Sequence, residues 1–182
     1  MATVTEDNNL VQQCMAGSRD AQYLLYKNYS KAMYNLCLRI VGDQNDAEDV
    51  LQVAFVQVFR KINEFRFEST LGAWIKRIVV NNCINHLRKN SLQFESISDN
   101  DVAVVDDEPV SFNIHTIKLA INQLPEGYRT IFCLYILEGY DHGEIAQILG
   151  ITESTSKSQD SRAKAKLCQI LRDNGSINLI YQ

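Results

Sequence analysis

Residues 46–62 read DAEDVLQVAFVQVFRKI. Ala47, Val50, Leu51, Ala54, Phe55, Val58, Phe59 and Ile62 recur at three- and four-residue spacing, the pattern of one apolar stripe along a helix. Asn45, followed three residues later by Glu48, has the form of a capping box. Asp46, Glu48 and Asp49 place negative charge in the first turn and Arg60 and Lys61 positive charge in the last, both with the sign the helix dipole favours. The opposite face is unusual. Asp49, Gln52, Val53, Val56 and Arg60 form a second stripe of acid, amide and bare valine, which either packs further inside the domain or offers a surface to a partner.

Outward from this helix the chain has few breakers, eight Gly and two Pro in 182 residues. Many helical periods with few interruptions predict an all-α protein of one ordinary domain or two small ones. Five Cys, at 14, 37, 83, 133 and 168, include no C-x-x-C pair. That suits a reducing cytoplasm better than a disulfide framework or a zinc knuckle. His86, His115 and His142 have no Cys or carboxylate partners at ligand spacing, so neither a metal nor a cofactor is predicted. No signal peptide is visible, and the longest apolar run, Ile131–Leu137, is too short to span a bilayer.

A net charge of −4 speaks against a nucleic-acid binder only on average. From Ser69 to Phe94 there is no acidic residue, while Lys76, Arg77, Arg88 and Lys89 are basic. From Ser91 to Ile117 there is no Lys or Arg, while Glu95, Asp99, Asp101, Asp106, Asp107 and Glu108 are acidic. The last helical segment is again mainly basic, with Lys157, Arg162, Lys164, Lys166 and Arg172 against Glu153, Asp160 and Asp173. Two basic patches flanking an acidic strip predict two nucleic-acid-binding surfaces joined by a tether.

Taken in order, Asn8–Met15 reads as a short helix closed by Gly17, and Ser18 caps the next. Ala21, Leu24, Leu25, Tyr29, Ala32, Met33, Leu36, Cys37 and Ile40 carry that helix to Gly42, with room for a break near Asn28–Ser30. Tyr23, Tyr26, Tyr29 and Tyr34 resemble a base-stacking set but at this spacing read as core and helix-edge packing. Asn63–Thr70 is a loop carrying Phe65, Arg66 and Phe67. Ser69 or Thr70 then caps a helix to about Leu87, with Leu71, Trp74, Ile75, Ile78, Val79, Cys83, Ile84 and Leu87 inward. Its outward face is Lys76, Arg77, Asn81, Asn82, Asn85, Arg88 and Lys89. A solvent face of Lys, Arg and Asn without carboxylates is built to lie against phosphate, and its Asn residues can bond base edges.

Ser91–Ser111 lacks sustained periodicity and contains Pro109, so it divides an N-terminal domain (1–90) from a C-terminal one (112–175), with a tail at 176–182. Asn113–Gln123 is one helix. Pro125 opens the next, with Tyr128, Ile131, Phe132, Tyr135 and Ile136 inward and Gly139 at its end. Asp141 with Glu144 starts a short helix that buries Ile145, Ile148 and Leu149. After Gly150 and Ile151, Thr152 or Glu153 begins a final helix to about Leu171. A short helix, a Gly turn and a second, basic helix describe a helix-turn-helix, whose second helix enters the major groove. There Lys157, Ser158, Ser161 and Arg162 share one face and Thr155 sits near the amino end for a phosphate. Lys157, Gln159 and Arg162 are long enough to reach base edges.

At this point DAEDVLQVAFVQVFRKI, WIKRIVVNNCINHLRK and LPEGYRTIFCLYILEGYDHGEIAQILGITESTSKSQDSRAKAKL resemble, in order, the motifs of bacterial RNA polymerase sigma factors of the extracytoplasmic-function group. The resemblance covers about Leu10 to Leu171. It implies a sigma-2 helical bundle and a sigma-4 helix-turn-helix in an alternative sigma factor without catalytic activity of its own. Such a subunit attaches to the core polymerase and directs it to the −35 and −10 promoter elements. Asp46, Glu48, Asp49, Gln52, Val53 and Val56 match the surface that docks on the β′ clamp helices, and the sigma-4 region the part that meets the β flap. Phe65, Arg66 and Phe67, with Lys76, Arg77, Asn81, Asn85, Arg88 and Lys89, match the −10 side, where a base is flipped from the duplex. Thr155, Lys157, Ser158, Gln159, Ser161 and Arg162 match the −35 side. The acidic linker matches a segment threaded through the RNA channel, and an anti-sigma factor is an implied partner. The pattern is broken at Asp160, where most of the family carries Leu or Ile facing its own domain, so that an acid there is expected either to be buried at a cost or to change how the helix is presented to the −35 element. Residues alone leave two rivals, a regulator that binds duplex DNA without polymerase and a non-initiating interaction module.

Overall fold

The computed structural model describes residues 4–91 and 114–173, and every regular element among them is helical. The acidic strip predicted as a linker, apart from Ser91, and the tail at 176–182 lie outside the described residues. Two compact units divide between Leu92 and Gln93.

The first unit begins with α1, Val4–Met15. Gly17, at φ +83°, turns the chain, and the Ser18 side chain accepts from Ala21 N to start α2, Arg19–Val41. This helix is continuous; the break allowed for near Asn28–Ser30 is absent, since polar Asn28 and Ser30 lie off its buried stripe of Leu25, Met33, Leu36, Cys37 and Ile40. Gly42, left-handed at φ +90°, ends it. The next helix starts earlier than Asn45 and Glu48 predict. Asp43 accepts from Asn45 N at 2.8 Å and Asp46 N at 3.0 Å, so α3 runs Gln44–Lys61. A carboxylate directly after the left-handed glycine reaches the orphan amides first, and only Asp46 of the three predicted acids falls in the first turn. A 3-10 turn, Ile62–Glu64, leads to the loop, and Thr70 Oγ1 accepts from Ala73 N at the head of α4, Leu71–Ser91.

The predicted stripe of α3 does face inward. Ala47, Val50, Leu51, Ala54, Phe55, Val58 and, beyond the helix, Ile62 are buried against α2 and α4, with Tyr26 edge-on to Phe55 at 4.8 Å. Burying one such Val, Leu or Phe stabilises by roughly 1.5–3 kcal/mol, so this stripe dictates which way α3 faces. Cys37 of α2 meets Cys83 of α4 thiol to thiol in the same core, and that contact, with burial, pushes the Cys83 thiol well above its ordinary range.

The second unit holds α5, Ile114–Asn122, and α6, Glu126–Phe132, which passes into a π-helical stretch, Cys133–Leu137. The wider π turn shifts the helical register. Ile136, predicted inward, is consequently 45% exposed, while Cys133 and Leu134 take the core positions. Asp141 and Glu144 close the predicted capping box at the head of α7, His142–Leu149. Gly150, left-handed at φ +70°, and Ile151 both donate to Ala146 O, turning the chain into α8, Glu153–Asp173. Helices α5, α6 and α7 all pack on α8.

Candidate docking and nucleic-acid surfaces

Three surfaces emerge, two on the first unit and one on the second. On α3, Glu48, Asp49, Gln52, Val53, Val56 and Arg60 are exposed, so the second stripe is not internal packing. Val53 is 53% and Val56 49% exposed, which forgoes about 1 kcal/mol each while they stay uncovered. Asp46 stands apart: its Oδ2 lies 3.4 Å from His86 Nε2, tying the head of α3 to the end of α4. Beside the stripe runs a groove of about 360 Å³ lined by Tyr26, Ser30, Lys31 and Tyr34 of α2 and Glu48, Leu51 and Gln52 of α3. Sequence reasoning missed the α2 wall of this surface. Tyr23 and Leu24 of the same helix are 68% and 47% exposed, against the packing that their spacing predicts.

The second surface is the loop after the 3-10 turn and the outer face of α4. Arg77, Asn81, Asn85, Arg88 and Lys89 are exposed and Lys76 half-buried. Two predicted members turn inward. Asn82 is 8% exposed; its Nδ2 donates to Gln57 Oε1 (3.2 Å) and to Ile78 O (2.8 Å), and Gln57 Nε2 donates back to Asn82 Oδ1 (3.0 Å). A buried amide is tolerated because all these groups are paired. Phe65 is 5% exposed, its ring 5.3 Å from Trp74 and 4.8 Å from Phe67, so it supports the loop rather than lining its outer surface. Phe67 is 42% exposed at φ +60°, a left-handed backbone costly for an aromatic residue. Arg66 is exposed beside it.

The third surface is the amino-terminal half of α8. Thr152 Oγ1 accepts from Thr155 N at 3.1 Å and lies 2.7 Å from Thr155 Oγ1. Lys157, Ser158 and Ser161 are exposed, and Thr155, Gln159 and Arg162 half-buried. Ser158 Oγ donates to Thr155 O, and Lys157 Nζ donates to Glu153 Oε1 at 2.7 Å, which raises the Lys157 pKa. Ser156, Asp160, Ala163 and Leu167 form the opposite, buried stripe. Asp160 is 5% exposed, the first of the two expected outcomes, with Oδ2 at 2.7 Å from Lys164 Nζ and Oδ1 without a hydrogen-bond partner. Lys164 reaches over the Tyr135 ring, Tyr135 stacks on His142 at 4.2 Å, and His142 Nδ1 lies 3.0 Å from Ser156 Oγ. This chain of contacts ties α8 to the π stretch and to α7. No cluster of His, Cys, Asp and Glu suited to a metal occurs among the described residues. Among the same residues no helix is long and apolar enough to cross a membrane.

Residues 25–93 match the family model for sigma-70 region 2, and residues 114–167 that for sigma-70 region 4. The chain is 30% identical over 179 residues to the ECF RNA polymerase sigma-E factor of Haemophilus influenzae, covering 90% of this chain and 94% of that one. It is 29% identical over 178 residues to the ECF RNA polymerase sigma factor SigW of Bacillus subtilis, covering 90% and 95%. Two solved structures share the fold. One is the sigma factor RpoE bound to the anti-sigma factor NepR from Bartonella quintana, at TM-score 0.56 and 24% identity over 82% of this chain and 96% of that one. The other is CnrH in complex with the cytosolic domain of CnrY, at TM-score 0.55 and 21% identity over 92% and 97%.

Proposed function

The chain belongs to the extracytoplasmic-function group of sigma-70 RNA polymerase sigma factors, and from that premise we propose how its three surfaces divide the work of promoter-specific initiation. The α3 stripe of Glu48, Asp49, Gln52, Val53 and Val56 docks on the β′ clamp helices of core polymerase, and the second unit meets the β flap. Covering Val53 and Val56 recovers the stabilisation they forgo in the free chain.

The face of Lys76, Arg77, Asn81, Asn85, Arg88 and Lys89, with Arg66 and Phe67, takes the −10 element. Cations hold the phosphates and Asn residues bond an exposed base edge. Extruding a base costs a few kcal/mol, which an aromatic face and polar groups in the loop offset. Thr155, Lys157, Ser158, Gln159, Ser161 and Arg162 take the −35 duplex in its major groove. Residues 1–90 and 112–175 are the two working domains, with 91–111 as an acidic tether. The chain works in the cytoplasm and leaves the chemistry of RNA synthesis to the polymerase. The solved neighbours pair a sigma factor with NepR and CnrH with a domain of CnrY; a partner of that kind restrains this chain.

The observation that carries this reading is one helix with two faces, a buried apolar stripe and an exposed one holding Gln52, Val53 and Val56. Run-off transcription from a randomised promoter library tests it. Transcripts sharing −35 and −10 sequences are expected only when core polymerase and this chain are both present. Tight, specific duplex binding by the chain alone, with no transcripts on adding core, would instead mark a regulator independent of polymerase. Core binding without promoter-dependent transcripts would mark a non-initiating module.

A further inference from the structure

Besides the Asp46–His86 contact at their ends, helix α3 and helix α4 are joined by the reciprocal amide pair of Gln57 and Asn82, set among the apolar side chains between them. Its polarity is set. Both hydrogens of Asn82 Nδ2 are used, one on Ile78 O and one on Gln57 Oε1, so a flipped amide would face the Ile78 carbonyl with another oxygen. Apolar ridges slide past one another at little cost, whereas a buried, fully paired amide fixes one register. The location matters as much as the chemistry. Gln57 lies one turn from both Val53 and Arg60 of the exposed α3 stripe, and Asn82 lies between Asn81 and Asn85 of the exposed α4 face.

We propose that Gln57 and Asn82 are positioning residues that couple attachment of α3 to polymerase with capture of the opened −10 strand by α4. The pair touches neither partner. It holds the two faces at one relative register, so that docking on one side presents Asn81 and Asn85 correctly on the other. This inference rests on the functional reading above and goes beyond it by naming the joint between two surfaces.

The test uses the full chain assembled with core polymerase on a promoter recovered from the library. Core affinity is measured by fluorescence anisotropy, and strand opening by permanganate reactivity of −10 thymines. Gln57→Leu, Asn82→Leu and the double leucine variant should each keep core affinity within about twofold. The same variants should form about five- to tenfold fewer open complexes. Exchanging the side chains, Gln57→Asn with Asn82→Gln, keeps two amides and the total reach, and should restore opening. The proposal is overturned if the double leucine variant opens promoters like the wild type. It is equally overturned if core affinity falls in step with opening, or if the exchanged pair behaves like the leucine pair. A wild-type chain that yields no promoter-dependent transcripts would sink the initiation reading itself, a result distinct from all of these.

Discussion

The ammonium of Lys157 and the carboxylate of Glu153 lie 2.7 Å apart, one turn from each other on α8, so the surface proposed for the −35 element carries a cation already engaged. Both side chains are more than half exposed, and an exposed ion pair of this kind contributes little to folding. Its effect falls on binding, because a phosphate or a guanine edge must displace Glu153 and Glu153 itself repels the duplex. Glu153→Gln should therefore raise −35 affinity about three- to tenfold at low salt without moving the melting temperature, the gain shrinking as salt screens it. Anisotropy of a labelled −35 duplex with holoenzyme, from low to moderate salt, checks this; equal affinity at all salt concentrations would show that Lys157 does not face the nucleic acid.

The inward side of the same helix carries an unusual acid. Asp160 is buried with one oxygen on Lys164 and the other unpaired, while Lys164 keeps its head near the surface. Replacing a buried, incompletely paired acid by a hydrocarbon is often stabilising, and breaking the pair from the cationic side leaves an uncompensated charge. Asp160→Leu should stabilise the full chain by about 1 kcal/mol, and Lys164→Met should destabilise it by about 1–3 kcal/mol. Urea unfolding followed on both variants measures the two signs; opposite signs are the expected result, and a loss in both would mean that the pair is worth keeping as it stands.

Local signals were read from the chain more faithfully than distant ones. The buried stripe of α3, the left-handed glycines at 42 and 150 and the Asp141–Glu144 box each depend on residues within one or two turns, and all stand in the structure. Asp43 was missed because Asn45 and Glu48 fit a capping box equally well and only backbone geometry decides between them. Asn82 reads outward with its neighbours but turns inward, because its partner, Gln57, lies 25 residues away on another helix. Ile136 follows a 3.6-residue period that the π turn interrupts, and Phe65 sits in a loop, where periodicity says nothing of direction. Charge pattern marks the basic faces of α4 and α8 for nucleic acid, but their division among polymerase, −10 and −35 roles is only what the family resemblance implies, because exposure leaves a surface side chain free of the packing constraints that make a core legible.

Tyr29 links α2 to α1. Its hydroxyl donates to the Asp7 carboxylate, 3.0 Å from both oxygens, and burial together with that carboxylate pushes its pKa up to about 12. The phenol is thus favoured in its neutral form when folded, so its contribution is fully present below the ordinary tyrosine pKa near 10 and is lost as pH rises from there through 12. A titration by absorbance should find a component ionising near pH 12 that is absent from Tyr29→Phe. The same variant should cost about 1 kcal/mol at neutral pH and show a shallower loss of stability above pH 10. An unchanged alkaline limb in Tyr29→Phe would show that other groups govern it.

Phe67 separates stability from function. It is the one non-glycine residue with positive φ among those described, and its ring stands 42% exposed against buried Phe65. The left-handed backbone costs roughly 1–2 kcal/mol for a side-chain-bearing residue, a strain that Phe67→Gly removes along with the ring. The lost ring contact with Phe65 is worth about 0.5–1.5 kcal/mol beyond the area it buries, so the two changes offset each other in part. Under the −10 role proposed for this loop they should not cancel in promoter opening. An aromatic face contributes roughly 1–3 kcal/mol to holding an unstacked base. Phe67→Gly should therefore lower its melting temperature only slightly while forming at least about tenfold fewer open complexes. Phe67→Tyr, which keeps ring and strain together, should open promoters like the wild type. If Phe67→Gly instead lowered stability markedly and left opening intact, the ring would be a prop for the loop and the −10 base would have to be held by Asn81, Asn85 and Arg66 alone.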